Sequence, residues 1–149
     1  MGDRGAGRGA VAVAALIKKK VSALKKLLWK EFSLWVKLNY STDGQYCPCF
    51  TCGKSLEIGT SNCQAGHWLA KSVSSYHRFR ENNVRPQCYK CNINLSGNAA
   101  VFERNLKDEI GADAVEDMYN TRHENGRRSR DWYVEKIEYY REQLKDMNG

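Results

Sequence analysis

Apolar positions change period along the chain, and each change predicts an element. Over residues 10–40, Ile17, Val21, Leu24, Leu28, Phe32 and Trp35 recur at steps of three and four, the spacing of one helical face. Lys18, Lys19, Lys25, Lys26 and Lys30 fall mostly off that stripe, so the segment reads as a basic amphipathic helix. Asp43-Gly44 signals a turn, and over residues 45–98 the helical period disappears. A strand is expected within Glu57–His67, an irregular loop over Leu69–Asn82, and a return strand over Asn83–Gln87, with Pro86 limiting pairing to one edge. A helix is expected to start near Cys91, with Gly97 marking a break and Asn98 as N-cap of a helix Ala99–Ile110 that carries Phe102, Leu106 and Ile110 on one face. Gly111 ends it, and Asp113 can cap a short helix through Tyr119. A basic loop, 121–130, leads to a last helix over Ser129–Met147 presenting Tyr133, Ile137, Tyr140, Leu144 and Met147. The expected organisation is a disordered basic arm (1–9), the basic helix (10–40), a core (45–120), and a basic loop with C-terminal helix (121–149). No repeat is apparent beyond two cysteine knuckles.

Charge sharpens this division. The net charge is +7, and residues 1–38 hold nine Lys/Arg against two Asp/Glu, while residues 103–149 carry a net −3. A positive N-terminal quarter fits a polyanionic partner such as DNA. The apolar stripe of that quarter has three open readings: packing on the central core, pairing with the same helix of a second subunit, or lying on a membrane surface. In the first two, Lys18, Lys19, Lys25 and Lys26 remain able to face phosphates. No stretch approaches the length of a membrane span. The short apolar run at 10–17 is followed at once by Lys18-Lys19-Lys20 rather than a cleavage site, so an intracellular protein is expected.

The six cysteines change the picture most. Cys49-x-x-Cys52 and Cys88-x-x-Cys91 are separated by 35 residues and supply four thiolates, the ligand set of a closed tetrahedral zinc site. Cys47 and Cys63 are surplus, with packing the plain reading and competition with Cys49 the alternative for Cys47. Between the pairs lies His67, able as a neutral imidazole to accept a proton near neutral pH. Directly after the last cysteine comes Asn92, whose carbonyl oxygen is a hard neutral donor suited to Mg²⁺ or Mn²⁺, with a helix N-cap as the ordinary alternative. Arg78 and Arg80 follow His67 and have the planar fork that suits phosphate. Trp29, Trp35, Trp68 and Trp132 read as core.

The order Cys-x-x-Cys, His, Asn, Cys-x-x-Cys-Asn resembles the zinc-bearing HNH (His-Me finger) nucleases. More closely, Cys49-Phe-Thr-Cys52-Gly53, Ala65-Gly66-His67, Arg78-Phe79, Asn83-Val84, Gln87-Cys88, Cys91-Asn92 and Leu95-Ser96-Gly97-Asn98 resemble the NinG/Rap recombination proteins of lambdoid phages. The resemblance continues through Ile110-Gly111 and Val115-Glu116, and so spans roughly residues 47–120. It implies an α+β fold with a zinc-stabilised ββα-metal core flanked by helices. It also implies a divalent-metal-dependent DNA endonuclease acting on branched DNA such as Holliday junctions, D-loops and flaps, in a bacterial host's cytoplasm. His67 is then the general base, Asn92 the ligand of the catalytic ion, and Asn83 a residue that bonds across the loop and orients the base. Many relatives place an aspartate before the histidine as a second ligand; here the position is Gly66. The ion is then held by Asn92 with waters and substrate, or by a further residue for which Asn98 and Glu103 are candidates. Two other functions fit fewer of these residues: a non-catalytic zinc-ribbon DNA-binding module, and a general nicking endonuclease without junction preference. A homodimer would suit symmetric cuts, though no residue pattern establishes one.

Overall fold

Three consecutive lysines interrupt the first helical stretch. The computed structural model describes residues 11–148, so the expected arm at 1–9 lies outside the described residues. Residues 11–17 are helical, the chain turns over Lys18–Lys20, and helix α1 runs Val21–Asn39, so the single helix expected over 10–40 is two pieces. The turn leaves all three lysines exposed, apart from the helix that would have crowded their charges. It also shifts the phase: Leu16 is buried, while Ile17 is 49% exposed.

The chain divides into two compact units, one comprising the residues up to Trp35 together with Arg128 onward, the other Val36–Arg127. In the first, Leu24, Leu28 and Phe32 of α1 are buried, and the C-terminal helix α4, Arg130–Asn148, buries Tyr133, Val134, Ile137, Tyr140 and Leu144. The Phe32 and Trp35 rings lie 5.1 and 5.3 Å from the Tyr140 ring, and Arg141 Nε sits 3.6 Å from Glu31 Oε1. At Phe32 and Trp35 the apolar stripe of α1 therefore meets the C-terminal helix, a partner absent from the three readings above. Ser129 starts α4 as N-cap, its hydroxyl accepting the Trp132 N–H at 3.1 Å.

The second unit is built on two antiparallel hairpins. Strands β1 (Tyr46–Pro48) and β2 (Ser55–Glu57) pair with Cys47 opposite Leu56, both buried, and form a hairpin that the pattern of apolar residues did not predict. Asp43 Oδ1 fixes the approach to it, accepting the N–H groups of Gln45 and Tyr46 at 2.8 and 2.9 Å. Strands β3 (Gln64–His67) and β4 (Val84–Gln87) pair with Gln64 opposite Gln87, Gly66 opposite Arg85 and His67 opposite Val84. Asn83, expected in the return strand, instead closes a 3-10 turn, Glu81–Asn83, before it.

Beyond β4 the expected helix near Cys91 is a single wide turn, Lys90–Asn94, in which the Leu95 N–H reaches the Lys90 carbonyl. Ser96 and Asn98 take left-handed backbone conformations, so the chain cannot continue as helix until Ala99. Helix α2 (Ala99–Ile110) and helix α3 (Ala112–Asn120) follow. Asn98 stands at the N-cap position of α2 as expected but makes no side-chain cap bond, whereas Gly111 rather than Asp113 stands at the cap position of α3, with Asp113 in its first turn. Phe102, Leu106 and Val115 form the core here, with Phe50, Trp68 and Ile110 packed against them. Among the described residues no helix is long and apolar enough to cross a membrane.

Candidate metal centre and histidine site

The β1–β2 hairpin brings Cys49 and Cys52 to the turn that carries Cys88 and Cys91. All four Sγ atoms lie within 4.8 Å of one another, and Cys52 Sγ is 3.8 Å from Cys88 Sγ. A tetrahedron with Zn–S bonds of about 2.3 Å has edges of about 3.8 Å, so the set fits a structural metal such as zinc. Backbone N–H groups support it: Cys88 N donates to Cys49 Sγ, and Cys91 N to Cys88 Sγ. Burial pushes the Cys49 thiol up, but hydrogen bonds from the Thr51 hydroxyl and from the Cys88, Cys52 and Thr51 backbone outweigh it, bringing the pKa down to about 6. Cys52 is pushed up to about 12, first by burial and then by the neighbouring thiols, a repulsion that a cation offsets. Cys47 stands outside the tetrad, with its Sγ 3.6 Å from that of Cys63, and both are buried in the cluster that backs the knuckle.

His67 ends β3, half-buried. Its Nε2 lies 2.9 Å from the Arg78 carbonyl oxygen. A carbonyl only accepts, so Nε2 carries the proton and Nδ1 the lone pair. Burial lowers the pKa below the usual histidine value, partly opposed by the Arg78 carbonyl bond, and the Arg78 and Lys71 charges add to the lowering. The ring is therefore neutral near pH 7.

Asn83 bonds His77, the residue directly before Arg78. Wholly buried, Asn83 accepts the Leu69 N–H at 2.8 Å and donates to the Leu69 and His77 carbonyls at 3.0 Å each. One amide thereby ties the start of the loop at Leu69 to His77 within it, and the Trp68 N–H adds a bond to the Asn83 carbonyl. His77 is tied to Thr121, Nε2 to Oγ1 at 2.8 Å.

Asn92 lies in the wide turn beside Cys91. Its Nδ2 donates to Gln64 Oε1 at 2.8 Å, so its Oδ1 points away from Gln64, towards Gly66. Asn98 turns its amide to Cys91 Sγ, while Glu103 is partly exposed and pairs with Lys107. The Arg78 guanidinium lies over Phe79 and that of Arg80 over Tyr76, 4.3 Å from the ring centre. Lys18, Lys19 and Lys26 are exposed and Lys25 is half-buried, all in the other unit.

Two buried polar residues of β4 escaped the sequence pattern. Arg85 pairs with Glu109 at 3.1 Å, donates to the Val84 carbonyl at 2.9 Å and lies over the Tyr40 and Phe50 rings. The Tyr40 hydroxyl also donates to Glu109; burial, then that bond, raises its pKa. Gln87, fully buried, donates to Thr51 and Gly97. The signal that could have found them is a polar pair, Arg85 and Gln87, alternating on one face of the return strand.

The family model described as "Bacteriophage Lambda NinG protein" matches residues 6–149. Protein ninG of Escherichia phage lambda is 28% identical over 137 residues, covering 85% of this chain and 63% of its own length. Protein ninG of Escherichia phage 933W is also 28% identical over 137 residues, and that of Salmonella phage P22 is 27% identical over 135, covering 83% of this chain. The chain thus spans 63–64% of the length of these relatives. No solved structure matches it.

Proposed function

The chain belongs to the NinG family of lambdoid phage proteins, and from that premise we propose that it is a divalent-metal-dependent DNA endonuclease with an HNH-type centre on the β3–β4 hairpin. The observation that carries the reading is His67, a neutral imidazole whose Nε2 proton is committed to the Arg78 carbonyl, so that its lone pair is on Nδ1. Such a nitrogen can take the proton of an attacking water. Asn83 is a positioning residue: by tying Leu69 to His77 it holds the segment whose Arg78 carbonyl orients the ring. Asn92 Oδ1 is the ligand for a hard divalent cation, and the cysteine metal next to it would keep the wide turn in register. The cation, when bound, supplies charge stabilisation to the phosphate oxygens. Arg78 and Arg80, with the N-terminal lysines, are the groups for the DNA backbone. Branched DNA as the substrate, in phage-type recombination, follows from the resemblance in residues 47–120.

The test compares wild type with His67→Ala on a labelled four-way junction and on its linear arms in Mg²⁺ or Mn²⁺, with bound zinc measured in both proteins. Junction cutting that is lost in the variant, with zinc and junction binding intact, is the expected result. Binding without cutting by wild type under every divalent metal would favour the DNA-binding module. Equal cutting of linear arms would favour a general nicking enzyme.

A further inference from the structure

We propose that Gln87 supplies a second oxygen, beside Asn92, to a hard divalent cation held against the backbone of Gly66. Gln87 is fully buried, and its amide orientation is settled by its neighbours: Nε2 donates to the Gly97 carbonyl at 2.9 Å and to the Thr51 hydroxyl at 3.1 Å. Because the Gly97 carbonyl can only accept, the nitrogen must face it and the oxygen must face away. That oxygen is buried and has no hydrogen-bond partner among the described residues. Buried acceptors are seldom left so, and a ligand outside the protein's own atoms is one of the few explanations.

The same logic orients Asn92. Gln64 Nε2 donates to the Ser61 carbonyl, which turns Gln64 Oε1 to the Asn92 amide nitrogen and sends Asn92 Oδ1 the other way. Both oxygens converge on Gly66: a Cβ built there would stand 1.8 Å from Gln87 Oε1 and 3.0 Å from Asn92 Oδ1. Register explains the meeting, since Gln64 lies opposite Gln87 and Gly66 two residues along the same face. A side chain at residue 66 would have to displace the Gln87 amide. Two neutral carboxamide oxygens aimed at one place suit Mg²⁺ or Mn²⁺, which keep several waters, better than a metal that prefers sulfur or imidazole. The role of the ion rests on the nuclease reading; the convergence of the two oxygens does not.

The test uses the zinc-loaded protein without DNA and millimolar Mn²⁺, read by electron paramagnetic resonance. In protein labelled with carboxamide ¹³C in glutamine, bound Mn²⁺ should show a ¹³C hyperfine coupling that disappears in Gln87→Met grown on the same label. Gln87→Glu should bind Mn²⁺ at least about tenfold more tightly, because a carboxylate replaces a neutral oxygen. Asn92→Ala should bind it more weakly. No Mn²⁺ bound, or Mn²⁺ bound without the ¹³C coupling in wild type, would overturn the assignment, the latter leaving a buried water as the partner of Gln87. The wild-type coupling involves no substitution, so a poorly folded variant cannot decide the matter. If His67→Ala abolishes junction cutting while the coupling is absent, only the Gln87 assignment fails. If the coupling is present in a protein that cuts no DNA, only the nuclease reading fails.

Discussion

The two hairpins of the central unit are held by different means. β1–β2 has three residues per strand and alternates exposed and buried positions, with one buried pair, Cys47 and Leu56. It has little apolar surface of its own, and its inner neighbours are Cys49, Cys63, Cys88 and Cys91. β3–β4 is one residue longer, and every residue of β4 is buried. Around it, polar side chains do what apolar packing does elsewhere: Asn83 ties Leu69 to His77, Arg85 ties the strand to Glu109, and Gln87 reaches Thr51 and Gly97. A hairpin beside a four-cysteine site that could hold a metal can be short, whereas one held by buried hydrogen bonds needs every partner in place. His67 stands on the second kind, where a fixed ring is worth the cost of burying polar groups.

The largest effect expected is from metal removal. Structural zinc–thiolate sites contribute about 10–16 kcal/mol, so a strong chelator should free the amides of 46–57 for hydrogen exchange before those of 64–67 and 84–87. Simultaneous loss of protection in both hairpins would break the contrast between them. Next is Asn83→Ala, which leaves the Leu69 N–H and the Leu69 and His77 carbonyls without their partner; urea denaturation should show a loss of about 3 kcal/mol with zinc content unchanged. A loss of zinc instead would mean that the two hairpins are one cooperative structure. Arg85→Ala should cost about 2 kcal/mol, less because Glu109 is partly exposed and water can take over.

The smallest effect is on pH dependence. His67 and His77 both have folded pKa values below the unfolded one, chiefly through burial. Between the two values the unfolded chain binds more protons, so their contribution is fully present above a pH of about 6.5 and is lost as pH falls below it. Urea midpoints measured down through this range should fall more steeply for wild type than for His67→Ala. Identical slopes would show that the ring is not buried as described.

Much of this was legible in the sequence because it depends on spacing. The two C-x-x-C pairs are local and converge as the spacing requires, and Phe102 and Leu106 bury on the face their period sets. Helix ends were read less well. Asn98 holds the N-cap position that the sequence indicates, but in a left-handed conformation, and gives its amide to Cys91 rather than to the helix. Lys18–Lys20 looked like one edge of a continuous helix but turn the chain. The partner of α1 was hidden because it lies about a hundred residues away in α4, and periodicity states that a face is buried without saying what covers it. Gln87 was hidden for a similar reason: a glutamine acquires meaning only when its nitrogen is seen to be occupied and its oxygen is not.

The most direct measurement is a long-range ¹H–¹⁵N spectrum of the histidine rings, with His67 assigned by its disappearance in His67→Ala and the pH varied through neutrality. The expected result is a neutral ring at pH 7 with the proton on Nε2, the lone pair on Nδ1, and a pKa below that of an ordinary histidine. An imidazolium at pH 7, or a neutral ring with its proton on Nδ1, would contradict it, because the nitrogen assigned to take the proton would already hold one.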